Sequence, residues 1–229
     1  MKKPVYWLAG NTYDCDLMLN QLLKKHGRDN VAILDGSSDS VDKVFANLIK
    51  SDLFSCGTKV IRLRGLPPDY VLIVDYLKYV NKNRVLIIES PLQTKVSGRR
   101  IEASKSKLFK EIKKVGKVLE FPVVVKDVQA RNWTIKAAEK AYKKDIEDVA
   151  AARLVECKNC NLDHIFAELS KLCSYIGKRR KILLDDVQIC VKDDREFNTW
   201  QMVDDLTEGK LKESLQSYSR KKKQYFATL

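Results

Sequence analysis

Over the first 121 residues, short and nearly continuous apolar runs alternate with stretches of helical period. VYWLA (5–9) reads as a strand ending at Gly10-Asn11. The next segment places Leu19, Leu22 and Leu23 at helical spacing and stops at Gly27. VAIL (31–34) reads as a second strand, closed by Asp35-Gly36, after which Val41, Val44, Phe45, Leu48 and Ile49 line one face of a helix. VIRL (60–63) is a third strand. Pro67 and Pro68 predict the start of a helix carrying Val71, Val74 and Leu77, with VLIIE (85–89) as a fourth strand. A basic, polar stretch follows, then a helix with Leu108 and Ile112 and the strand KVLEF (117–121). Strands that are apolar throughout are buried on both faces, so this half predicts an α/β domain built on a parallel sheet.

Beyond Pro122 the period changes. DVQARNWTIKAAEKAYKK has almost no strand character, and NLDHIFAELSKLCSYIG is the clearest helix, with Asn161 as cap and Gly177 as stop. A further helix is expected from Leu183-Leu184-Asp185-Asp186-Val187, with Asp185 accepting from free N–H groups, and one or two more over Trp200–Tyr218. The reading is two domains: an α/β domain over 1–121 and an all-α domain over 122–229.

Length and composition then limit the function classes. A chain of 229 residues with 45% hydrophobic and 32% charged residues is globular. No apolar run approaches the roughly 18 residues that cross a bilayer, so no membrane partner is expected. The apolar start is too short for a signal peptide and the six cysteines are scattered, which together predict a cytosolic or nuclear protein. Charge changes the picture more. The net +13 favours polyanions, and Lys95 to Lys126 carries ten Lys/Arg against three Glu. Further clusters lie at KRRK (178–181) and RKKK (220–223). A basic nucleic-acid-binding module is one reading of that surplus, and ordinary solvated surface is the other.

Candidate chemistry is sparse. LAGNTYDCDL stands where an α/β nucleotide-binding domain puts its phosphate loop, but it holds one glycine and no GK[ST]. Asp14 and Asp16 lie where an anion would sit and would repel a triphosphate. Glu89, at the end of VLIIE, could mimic a metal-binding acid; without a phosphate loop it reads as a strand terminus. Cys157-Lys-Asn-Cys160 resembles half a zinc knuckle, with His164 and Cys173 after it, yet zinc needs four converging ligands, and the pattern reads as ordinary thiols. No nucleophile–base system is detectable, so no catalytic residue, cofactor or metal is expected. One feature is unusual: Leu53 and Phe54 follow the second helix directly and precede Gly57. Such a pair either folds back onto the core or projects into a partner's pocket.

Taken in order, these segments resemble the delta subunit of bacterial-type DNA polymerase III, the clamp-opening subunit of the sliding-clamp loader. The matching stretches are LAGNTYDCD, SDLFSCGTKVIRL, VLIIES and KSKLFKEIKKVGKVLEF. NWTIKAAEKAYKKDIEDVAAARLVE, NLDHIFAELSKLCSYIG, ILLDDVQICV and EFNTWQMVDDLTEGKLKESL continue the match. Each is loose, while their order and spacing are specific, above all FNTWQMVDDLTEG after the AELSKL helix. The resemblance implies an AAA+-like domain without a functional phosphate loop, followed by a helical lid. It implies a non-hydrolysing subunit whose partners are the sliding clamp, the loader's ATPase subunits and, through the complex, primer–template DNA. It makes Leu53 and Phe54 the clamp-binding pair, held outward. Arg99, Arg100 and Lys105 are the candidate phosphate contacts in the basic stretch. A bacterial-type cytoplasm or a virus-infected host is the expected setting. Family members continue into a helical collar domain, which on this reading the chain lacks.

Overall fold

The computed structural model describes residues 4–36, 38–49, 57–96, 99–102 and 105–193. Leu53, Phe54 and the helices expected over Trp200–Tyr218 lie outside the described residues. The chain divides into two compact units, Met1–Val125 and Lys126–Leu229.

The first unit is a five-stranded parallel sheet. Its strands are β1 (Val5–Gly10), β2 (Val31–Asp35), β3 (Lys59–Arg64), β4 (Arg84–Ser90) and β7 (Lys117–Phe121), in the order β2-β3-β4-β1-β7. β1 and β4 are central and almost wholly buried, which explains their unbroken apolar runs. Alternate residues serve opposite faces. Trp7, Ile61, Leu63, Leu86 and Ile88 pack with Leu108 and Ile112 of α4 (Lys107–Val115), and with Val41 and Val44 of α2 (Val41–Ile49). On the other face Tyr6, Leu8, Val60, Val85 and Ile87 meet Leu19 and Leu22 of α1 (Thr12–His26).

Two segments differ from the sequence reading. The helix expected after Pro67-Pro68 is broken into a 3-10 turn (Tyr70–Leu72), one turn of α-helix, α3 (Ile73–Tyr76), and a second 3-10 turn (Leu77–Tyr79). Val71, Ile73 and Val74 are β-branched and resist a longer helix. The basic stretch after β4 forms an antiparallel hairpin, β5 (Gln93–Val96) with β6 (Arg99–Glu102).

Among its described residues the second unit holds the helices α5 (Asp127–Tyr142), α6 (Asp148–Cys157), α7 (Leu162–Ile176) and α8 (Leu184–Cys190). Asn161 caps α7 by accepting the His164 N–H at 3.1 Å. At α8 the capping acid is Asp186 instead of Asp185: its Oδ2 accepts the Leu183 N–H at 2.8 Å, while Oδ1 takes Arg179 at 2.6 Å. Burial pushes the Asp186 pKa up, but the Leu183 and Arg179 hydrogen bonds and the Arg179 charge outweigh it and leave the pKa lowered. The unit also holds a two-residue parallel pair, β8 (Asp145–Ile146) with β9 (Lys181–Ile182), which joins the entries to α6 and α8. After α8, buried Lys158 donates from Nζ to the Lys192 carbonyl at 2.9 Å and pairs with Glu168 at 3.3 Å. Arg153 reaches Asp193 at 3.3 Å.

Candidate functional site

In an open parallel sheet, ligands bind beyond the strand ends where neighbouring connections diverge. Here that place is the end of β1, between β4 and β7. The chain turns there through Gly10, at φ 131°, and a Cβ at this position would stand 1.6 Å from the Phe121 carbonyl oxygen, so only glycine fits.

Asn11 comes next and is fully buried. Its N–H donates to the Phe121 carbonyl at 3.2 Å, which fixes the loop to the end of β7. Its Oδ1 accepts the Asp14 N–H at 2.9 Å, and its Nδ2 donates to Asp14 Oδ2 and to the Pro122 carbonyl, both at 2.9 Å. A free helix N-terminus attracts phosphate because its first N–H groups lack partners and the dipole is positive there. In α1 the Asn11 carboxamide answers the Asp14 N–H, and the Asp14 carboxylate supplies negative charge to the dipole. The protein provides its own anion at this end of the helix.

One strand over, Glu89 is engaged by Arg62 of β3. Arg62 Nη2 donates to Oε2 at 2.8 Å and Nε donates to Oε1, a two-pronged pair with both side chains largely shielded from water. The Glu89 bond is the main reason the guanidinium pKa is raised. Asp16 faces the same pair. Burial and then the Glu89 charge raise its pKa, while Arg62 and Arg64 pull the other way. A carboxylate with both oxygens on a guanidinium offers little to a metal ion. Among the described residues no three His, Cys, Asp or Glu side chains gather to hold one.

Arg99 and Arg100 lie on β6, where Arg100 stands directly opposite Lys95 and Arg99 opposite Val96. Lys105 is exposed just ahead of Ser106, the cap of α4. The three candidates therefore sit along one hairpin-to-helix passage. Cys157 is buried at the end of α6, and burial raises the thiol pKa of both Cys160 and Cys173. Sequence reasoning missed two residues of the strand-end site. Asn11 with Asp14 three residues later is a capping signal, and an arginine inside the apolar run VIRL calls for a carboxylate nearby.

No family model matches the chain. A search of curated proteins finds the DNA polymerase III subunit delta of Bacillus subtilis, 27% identical over 237 residues, which take in 94% of this chain. The chain resembles DNA polymerase III subunit delta. It spans 64% of the length of that relative. Among solved structures, the Bacillus subtilis DNA clamp loader delta protein (YqeN) is similar to the delta-like chain with a TM-score of 0.55 and 22% identity. That match covers 96% of this chain and 68% of the other. A variant of the Thermotoga maritima protein RuvB follows at a TM-score of 0.51 and 15% identity, covering 82% of this chain and 60% of its own. The chain therefore shares with these structures a fold made of a parallel-sheet unit followed by a helical unit.

Proposed function

We propose that the delta-like chain is a non-hydrolysing clamp-loader subunit that binds and opens the sliding clamp for loading onto primer–template DNA. The similarity to subunit delta along 94% of the chain is the observation that carries this reading. The strand-end site supports it: the helix N-terminus is capped by the protein's own side chains, and the strand-terminal acid is paired with arginine. Opening a closed ring needs no chemistry in this subunit, only tighter binding to the open form than to the closed one. In this proposal the loader's ATPase subunits supply the energy, Leu53 and Phe54 form the apolar contact with the clamp, and Arg99, Arg100 and Lys105 contact DNA phosphates within the complex.

The test is capture of the clamp by the purified chain. Leu53→Ala/Phe54→Ala abolishes capture and leaves the unfolding midpoint within about 2 °C, since truncating surface groups changes stability by roughly 0.5 kcal/mol or less. A drop of 10 °C or more, of the order expected for two truncated core side chains, would assign the pair to the core and refute the docking role.

A further inference from the structure

The basic run KRRK (178–181) has no part in the function above, and the fold of the second unit adds to it. The run follows Gly177, which ends α7. The end of α5 and the residues just after it supply Lys140, Lys143 and Lys144. Contacts across the fold tie the two segments together. Lys144 Nζ donates to the Gly177 carbonyl at 2.7 Å and to the Arg179 carbonyl at 2.6 Å. The Asp145 N–H donates to the Arg180 carbonyl at 2.9 Å, and Asp145 of β8 stands opposite Lys181 of β9. Seven cations thus share the end of the unit at which α5 and α7 both finish.

Local structure accounts for three of the seven. Lys140 lies in the last turn of α5, where a cation offsets the helix dipole. Lys144 is engaged by the two carbonyls. Arg179 holds the buried Asp186 at 2.6 Å, the acid that caps α8. The other four remain open to solution. The Arg180 side chain is 84% exposed and its partner Asp145 54%, at 3.3 Å, and Lys181 meets Glu147 only at 3.7 Å. Pairs so open to water contribute little and give way to a competing anion at small cost. Lys143 and Lys178 are exposed and form no ion pair among the described residues. Beside them Tyr175, in the last turn of α7, has 54% of its surface in water.

We propose that this end of the helical unit binds a single-stranded nucleic acid, with phosphates on Lys143, Lys178, Arg180 and Lys181 and a base on the Tyr175 ring. Proteins that hold single strands without regard to sequence combine cations that follow the backbone with exposed aromatic rings on which bases stack. A duplex keeps its bases stacked inside and has no use for the ring. The Lys144 contacts fix the two basic segments to each other before any ligand arrives, so binding orders little of the chain. The proposal is independent of the clamp-docking reading, and its phosphate contacts are separate from those assigned to Arg99, Arg100 and Lys105.

The test follows the fluorescence anisotropy of labelled oligothymidylate mixed with the full chain over a series of salt concentrations. In Lys143→Gln/Lys178→Gln/Arg180→Gln/Lys181→Gln the affinity at low salt falls about tenfold. The slope of log affinity against log salt becomes shallower by about two to three, since each single-strand phosphate contact contributes about 0.7. Tyr175→Ala weakens binding about fivefold and leaves the slope unchanged. Should the quadruple variant unfold early, Lys143→Gln/Lys178→Gln, which breaks no ion pair, carries the test with a loss of about threefold. Unchanged affinity in these lysine and arginine variants, with a loss in Arg99→Gln/Arg100→Gln/Lys105→Gln, overturns the proposal and leaves the first unit's phosphate contacts standing. An equal loss on duplex DNA with no effect of Tyr175→Ala overturns the single-strand assignment. Displacement of the oligonucleotide by polyglutamate as readily as by unlabelled oligothymidylate would show a surface that takes any acidic polymer, and overturns it too.

Discussion

Replacing Asn11 with alanine tests the reading of the strand-end site most directly. The substitution removes a helix cap, about 1 kcal/mol. It also removes the Nδ2 bonds to Asp14 and to the Pro122 carbonyl. Each of these part-buried hydrogen bonds contributes about 0.5–1 kcal/mol, so the total is about 2–3 kcal/mol. For a unit of this size each kcal/mol lowers the midpoint by about 4 °C, so the midpoint falls by about 8–12 °C. Trp7 reports on this unit because it is fully buried and packs edge-on to Phe109 at 5.4 Å between ring centroids. Its fluorescence can be followed during thermal unfolding in a Trp133→Phe/Trp200→Phe background. Asn11→Ser keeps a side-chain acceptor and loses the donor bonds, and falls by about half as much. Magnesium ATP shifts neither midpoint, because Asp14 and Asp16 remain and no lysine stands in the loop. An Asn11→Ala midpoint within 2 °C of the parent would show that the carboxamide does not hold the loop. A clear upward shift of the variant with magnesium ATP would show that only the asparagine keeps nucleotide out.

Three further outcomes follow. Glu89→Met strands Arg62 in a poorly solvated site and lowers stability by about 2 kcal/mol, whereas the apolar pair Arg62→Met/Glu89→Met costs less than Arg62→Met or Glu89→Met alone; urea titration of the parent, the two single variants and the double variant checks this cycle. The His26 pKa is lowered from 6.5 by burial and then by Lys25, while its ring meets the Tyr6 hydroxyl at 3.0 Å. The folded state therefore disfavours the imidazolium: the contribution is whole above pH 6.5 and lost as pH falls through the folded pKa, a slope that His26→Gln flattens in midpoint-versus-pH curves. Purified chain turns over no ATP, alone or with DNA, in a coupled phosphate-release assay; turnover that survives rigorous purification and disappears in Glu89→Gln would overturn the non-hydrolysing reading.

The parallel sheet was legible because β1 and β4 are apolar at every position but their ends, a pattern that only a strand covered on both faces needs. The hairpin β5–β6 was not, since Lys95, Arg99 and Arg100 leave only Val96 and Ile101 as large apolar residues in eight strand positions and break any alternation. The pair β8–β9 is two residues long, too short to show any period. At α8, adjacent aspartates hid which one caps; the answer depended on Arg179, whose approach no local pattern reveals. In the strand-end site, the missing glycines and lysine were plain from LAGNTYDCDL. The manner in which the vacancy is filled was not, because the Asn11 bond to Pro122 spans 111 positions of chain.

The contacts that follow α8 have a mechanical consequence. Lys158 and Arg153 grip the backbone carbonyl of Lys192 and the side chain of Asp193, and Lys158 is itself braced by Glu168. The residues just after α8 are thus tied to α6 and α7 at a bolted joint rather than a swivel. A pull or twist applied at Lys192 or Asp193 is therefore felt by α6 and α7 together, since the same side chains hold both.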